Sequence, residues 1–149
     1  MTTKIARGIR LNNPGNIDYN PRNDWQGQLP PDPSIEKRFA RFDSPENGIR
    51  ALAKLLINYR GKDGMPGIGL KGIDTVRETI NRWAPSVEND TEAYIKAVSV
   101  AAGVLSNEQI DIRDRRILLG VVTAIIKHEN GSIPYTPAVV AEGVRRALA

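Results

Sequence analysis

The chain has no cysteine and a single histidine, His128. Disulfides and thiolate chemistry are therefore excluded, and a structural zinc site or a histidine-based triad is hard to assemble. No apolar run approaches the length needed to span a bilayer, so no membrane insertion is expected. The segment from Met1 to Arg10 carries Lys4, Arg7 and Arg10 but no apolar stretch after them, and no secretory signal is expected from it. Glycine is concentrated between Gly61 and Gly72, yet no Gly-Lys-Ser/Thr and no adjacent strand pattern accompany it. That stretch reads as a surface loop rather than a phosphate cradle. No cofactor and no metal are called for, and carboxylates are the acid–base groups that remain.

What is present fits one globular domain, 1–149. With 40% apolar and 26% charged residues in 149 positions, the chain can build a real core but not two comfortable ones. Its net charge of +4 favours an anionic partner such as nucleic acid, lipid head groups or cell-wall polymer, without choosing among them. The basic residues are interleaved with acids and not gathered into a stripe with stacking aromatics. Dedicated nucleic-acid binding is therefore disfavoured.

The first forty residues lack helical periodicity and are rich in turn formers, notably Asn12-Asn13-Pro14-Gly15-Asn16 and Leu29-Pro30-Pro31-Asp32-Pro33. Loop, with a short hairpin at most, is expected there. Ser44 as cap and Pro45 at the first position then announce a helix whose apolar face is Ile49, Leu52, Ala53, Leu56 and Tyr59. Glu46 lies where the helix dipole welcomes negative charge, so capping is its simplest role. Asp74 is expected to cap a helix carrying Val76, Ile80 and Trp83, with Trp83 in the core and Pro85 as the stop. Asn89 and Glu92 have capping-box spacing before Tyr94, Ile95, Val98 and Ala102, and Gly103 ends that helix. Helices over 113–130 and from Thr136-Pro137 to Ala149 complete a count of about five.

Glu129 stands out. It continues the face formed by Leu118, Val122 and Ile125, so a carboxylate ends an apolar stripe. Gly131 is a plausible stop, which places Glu129 near the negative end of the helix dipole. Burial and dipole both favour the protonated form, as a general acid near neutral pH requires. The competing reading is a glutamate whose head reaches solvent just past the last buried turn. His128, turned about 100° away, is expected to flank any cleft rather than carry catalysis.

Four blocks resemble a known family. Gly8-Ile9-Arg10-Leu11-Asn12-Asn13-Pro14-Gly15-Asn16-Ile17 is similar to the Asn-rich stretch lining the cleft of bacterial and phage glycosidases of the lysozyme superfamily. Phe39 to Ile49, with its Phe-Asp-Ser-Pro-Glu core, looks like their helix start, and Trp83-Ala84-Pro85 with Asn89 to Ile95 looks like the segment that carries a cleft tyrosine. Ile125 to Gly131 resembles the helix end bearing the essential glutamate of lytic transglycosylases and goose-type lysozymes. In that family the glutamate helix comes first, whereas here it comes nearly last, as in a circular permutation; exposed, neighbouring termini make such a rearrangement physically reasonable.

The resemblance implies a mainly α fold of the α+β lysozyme-like kind, with about five helices around a cleft and a loop-rich or short-hairpin N-terminal segment. It also implies a phage or prophage endolysin-like enzyme, either muramidase or lytic transglycosylase, that cleaves peptidoglycan at the bond between N-acetylmuramic acid and N-acetylglucosamine. Glu129 would be the general acid. Asn13 and Asn16 suit sugar acetamido and hydroxyl groups but equally suit a turn. Tyr94 either presents its phenol to the cleft or simply packs, and Trp25 either stacks on a sugar or covers the core edge. A hydrolase needs a second carboxylate, for which Asp18 and Asp24 are candidates against their reading as turn residues. Without one, the muramyl 6-hydroxyl attacks internally and a transglycosylase results. The expected partner is the peptidoglycan glycan strand, met by a monomer that acts at the bacterial wall from the host cytoplasm or a virion. The alternative is a virion structural or wall-binding protein that keeps the cleft without catalysis.

Overall fold

Helix starts are set by short side chains that accept from otherwise unpaired backbone N–H groups. A computed structural model describes residues 6–59, 73–84 and 90–149. Among these residues are six helices: α1 (Arg7–Arg10), α2 (Pro45–Tyr59), α3 (Val76–Trp83), α4 (Thr91–Ala102), α5 (Arg115–Asn130) and α6 (Pro137–Leu148). The Ser44 hydroxyl accepts from Asn47 N–H at 3.2 Å and opens α2, and Thr136 with Pro137 opens α6, both as the sequence implies. Gly103 and Gly131 end α4 and α5 in the left-handed conformation, at φ 71° and 76°.

Three boundaries differ from expectation, each for a local reason. Asp74 does not cap α3. Thr75 does, accepting from Glu78 N–H while its hydroxyl donates to the Glu78 carboxylate at 2.9 Å, which leaves the Asp74 carboxylate to accept from Gln109 at 2.7 Å. Helix α5 starts at Arg115 because Asp114 accepts from the N–H groups of Arg116 and Ile117. Asp90 caps α4 through Ala93 N–H. The glycine-rich stretch from Gly61 to Gly72, the Pro85 stop, the Asn89 cap and Lys4 lie outside the described residues.

The core lies between α2, α4, α5 and the inner face of α6, with Ile49, Leu52, Ile95, Leu118 and Ile125 all fully buried. Helix α2 packs most extensively on α6, and α4 on α5. The fold class is mainly α. In place of the hairpin allowed for, two isolated antiparallel bridges join Asp18 to Phe39 and Gln28 to Phe42, and no strand occurs among the described residues. No helix among these residues is long and apolar enough to cross a membrane.

The α2–α6 contact depends on a missing side chain. A β-carbon at Gly143 would lie 2.4 Å from Cγ2 of Ile49 and 3.0 Å from the Glu46 carbonyl oxygen, so the helices could not keep their separation. Gly143→Ala should therefore destabilise the fold by about 2 kcal/mol and lower Tm by roughly 4–8 °C. Thermal unfolding followed by circular dichroism tests this; an unchanged Tm would mean that the two helices separate at little cost.

Candidate active site

The N-terminal segment, although mostly non-helical, is built as rigidly as a helix. Asn13 is fully buried, and its side chain donates to the carbonyls of Ile17 and Ala40 while accepting from Ile17 N–H, all at 2.9 Å. Backbone bonds from Phe42 to Leu11, from Ala40 to Ile17 and from Tyr19 to Arg38 lash this segment to residues 38–42. Asn12 and Asn16 take left-handed conformations, φ 54° and 50°, which asparagine tolerates better than most residues. The last turn of α5 is tied to the same loop, because Asn130 Nδ2 donates to the Pro14 carbonyl at 2.8 Å.

These constraints place Asn16 and Glu129 on the wall of an open cleft of about 670 Å³, together with Asp18, Arg7, Arg82 and Trp83. Burial raises the Glu129 carboxyl above the ordinary glutamate value; the Asn16 side chain, the charge of His128, the Tyr94 hydroxyl and the charge of Arg7 oppose that shift without cancelling it. Tyr94 Oη approaches Glu129 Oε2 at 3.4 Å, and the Tyr94 ring stacks on His128 with centroids 3.6 Å apart. The cleft thus holds a half-buried carboxyl group that resists ionisation, beside amide side chains able to bind neutral hydroxyl and acetamido groups. Among the described residues no cluster of histidine, aspartate and glutamate is arranged to hold a metal.

No family profile matches the chain. Over 135 residues it is 36% identical to Protein P5 of Pseudoalteromonas phage PM2, an alignment that covers 89% of this chain and 76% of the relative. The chain belongs to the Protein P5 family. The bacteriophage association expected from the sequence motifs therefore holds for a P5-family relative, whose name specifies no activity.

The residues singled out by sequence fare unequally in this P5-family chain. Glu129 and Asn16 share the cleft wall. Asn13, one turn away, is sealed inside, and its polar atoms hold the loop instead of facing a ligand. Tyr94 is 1% exposed, so it contacts the carboxylate of Glu129 and not the open cleft. Trp25 is absent from the cleft wall and packs against the core edge, the second of its two expected roles. Asp18 lines the cleft but is paired with Arg38 at 2.8 Å, and the exposed Asp24 lies away from the lining. Trp83, expected in the core, is only partly buried and forms part of the cleft wall. Arg7 and Arg82 were missed, since nothing in their sequence neighbourhood sets them apart from other surface arginines.

Two variants separate the site from its scaffold. Asn13→Ala removes three buried hydrogen bonds, leaves the Ile17 N–H and the Ala40 carbonyl without that partner, and should cost about 3 kcal/mol, read as a lowered denaturant midpoint. A stability unchanged by that substitution would remove Asn13 from the scaffold. For Glu129 the shift is upward, so the stability associated with its neutral form is complete below the ordinary glutamate range and is lost as pH rises through the folded-state value. Glu129→Gln, which cannot ionise, should match the parent near about pH 4 and exceed it near about pH 8. A Tm difference that stays constant across this range would contradict a raised Glu129.

Proposed function

We propose that this P5-family protein cleaves peptidoglycan glycan strands at the bond between N-acetylmuramic acid and N-acetylglucosamine, with Glu129 as general acid. The observation that carries this reading is the position of Glu129: a half-buried carboxyl group whose ionisation burial disfavours, on the wall of a cleft lined with asparagine side chains. Glu129 gives its proton to the glycosidic oxygen as the bond to the muramyl anomeric carbon breaks. Tyr94 and Asn16 fix the carboxyl group for that transfer.

The second half of the reaction follows from the remaining carboxylates. Among the described residues the other carboxylate in the cleft wall is Asp18, which is exposed and ion-paired with Arg38. A carboxylate so engaged is a poor activator of water. The 6-hydroxyl of the muramyl residue then attacks its own anomeric carbon, and its proton passes to the Glu129 carboxylate, which restores the acid. The products are a 1,6-anhydromuramyl end and a free N-acetylglucosamine end, and no water is consumed.

Digestion of purified peptidoglycan, with fragments resolved by chromatography and mass, tests the proposal. The parent should release 1,6-anhydromuramyl fragments, and Glu129→Gln should lower the rate at least about a hundredfold. Reducing-end muramic acid in place of the anhydro product would make the enzyme a hydrolase and return Asp18 to the mechanism. Equal rates in parent and variant would remove Glu129 as the acid. Absence of cleavage by both would favour a wall-binding or structural protein that retains the cleft.

A further inference from the structure

The cleft carries more positive charge than a neutral sugar chain requires. Arg7, Arg38 and Arg82 line it, against the carboxylates of Asp18 and Glu129. Asp18 answers Arg38. Arg7 and Arg82 form no ion pair with any described residue, yet neither is loose. The Arg7 guanidinium sits 3.9 Å from the centroid of Phe39, and that of Arg82 sits 5.8 Å from the centroid of Tyr59. Both rings are buried, each 8% exposed, so they act as fixed platforms. A cation–π contact with a buried ring holds each guanidinium over an aromatic face, and its N–H donors, engaged by no described acid, can receive a carboxylate through two parallel hydrogen bonds.

We propose that Arg7 and Arg82 form a carboxylate-binding subsite that selects acid-bearing muramyl glycan over neutral N-acetylglucosamine polymer. This inference rests on the glycan-cleaving reading of the same cleft. N-acetylglucosamine carries no anionic group. Muramyl residues bear a lactyl substituent that is a free carboxylate in a bare strand, and in an intact strand it is amide-linked to a peptide with carboxylates of its own. The asparagines of the cleft suit the hydroxyl and acetamido groups common to both sugars, whereas the two arginines suit the acidic group that separates them. Arg7 also lies close enough to Glu129 for its charge to act on that carboxyl group, which places the subsite beside the bond to be cut.

The test is calorimetric binding at low salt, in a Glu129→Gln background so that fragments persist. Three tetrasaccharides are compared: a chitin fragment, a peptide-free muramyl fragment and a peptide-bearing one. At least one acidic fragment should bind about tenfold or more tighter than the chitin fragment. Arg7→Gln with Arg82→Gln should abolish that preference and leave chitin binding unchanged, and Arg7→Lys with Arg82→Lys should restore part of it. Preference for the peptide-free fragment identifies the lactyl group as the anion, and preference for the peptide-bearing fragment alone identifies the peptide. Equal affinity for all three, or a preference that survives both glutamine substitutions, overturns the subsite while leaving glycan cleavage intact. An arginine-dependent preference in a protein that does not cut the wall would uphold the subsite and remove the catalytic reading. Absence of binding to every fragment overturns the subsite.

Discussion

The site exists because one side chain joins two ends of the chain. Asn130 donates to the Pro14 carbonyl across 116 positions of sequence and to the Ile126 carbonyl within its own helix. One amide thus holds the last turn of α5, and with it Glu129, against the N-terminal loop. The contact is close enough that α1 must present a glycine there: a β-carbon at Gly8 would fall 2.6 Å from Asn130 Oδ1 and 2.7 Å from the Asn13 carbonyl oxygen. Asn13 makes the loop stiff, Asn130 docks it on α5, and Asn16 then meets Glu129. Without the dock, Glu129 would end a helix in solvent and lose the burial that raises its affinity for a proton.

That arrangement bears on the order of the sequence blocks. The Asn-rich segment and the glutamate helix stand at opposite ends of the chain, yet they form one wall in space. A packed core records which segments touch and not the order in which the chain visits them. The reversed order of the motifs is therefore no obstacle to their forming a common cleft.

Much of the helical framework was legible because the groups that decide it are neighbours in sequence. Ser44 and Asn47, or Thr136 and Val139, are three residues apart, and the apolar spacing after each cap repeats with the helical turn. Legibility failed where two adjacent residues could do the same task, as with Asp74 and Thr75, and where an element was too short to show a period, as with α1. The site was less readable for a related reason. Asn13 and Asn16 belong to one turn with nearly identical local chemistry; what separates them is the Ala40 carbonyl, distant in sequence, which draws Asn13 inward. Trp83 left its expected place in the core for the cleft wall, and Trp25 took the core-edge alternative of its two, because tertiary packing, not local pattern, chooses which indole meets the cleft. The charge of Arg7 was visible from the start, but its lack of an acidic partner is a property of the folded surface.

Charge and burial in the cleft act on the same proton in opposite directions. Arg7 favours ionised Glu129, and burial disfavours it more strongly, so the balance raises the carboxyl group's affinity for its proton. A substrate carboxylate seated on Arg7 would cancel much of the arginine's field at Glu129. The sugar chain would also displace water from the carboxyl group and strengthen the effect of burial. In the proposed cleavage, both changes would move Glu129 further toward its protonated form. A neutral glycan would displace the water but leave the field of Arg7 in place, and so would arm the acid less completely. On the proposed reading, selection of an acidic glycan and preparation of the proton donor would be two consequences of one electrostatic contact, and discrimination would show in the catalytic step as well as in binding.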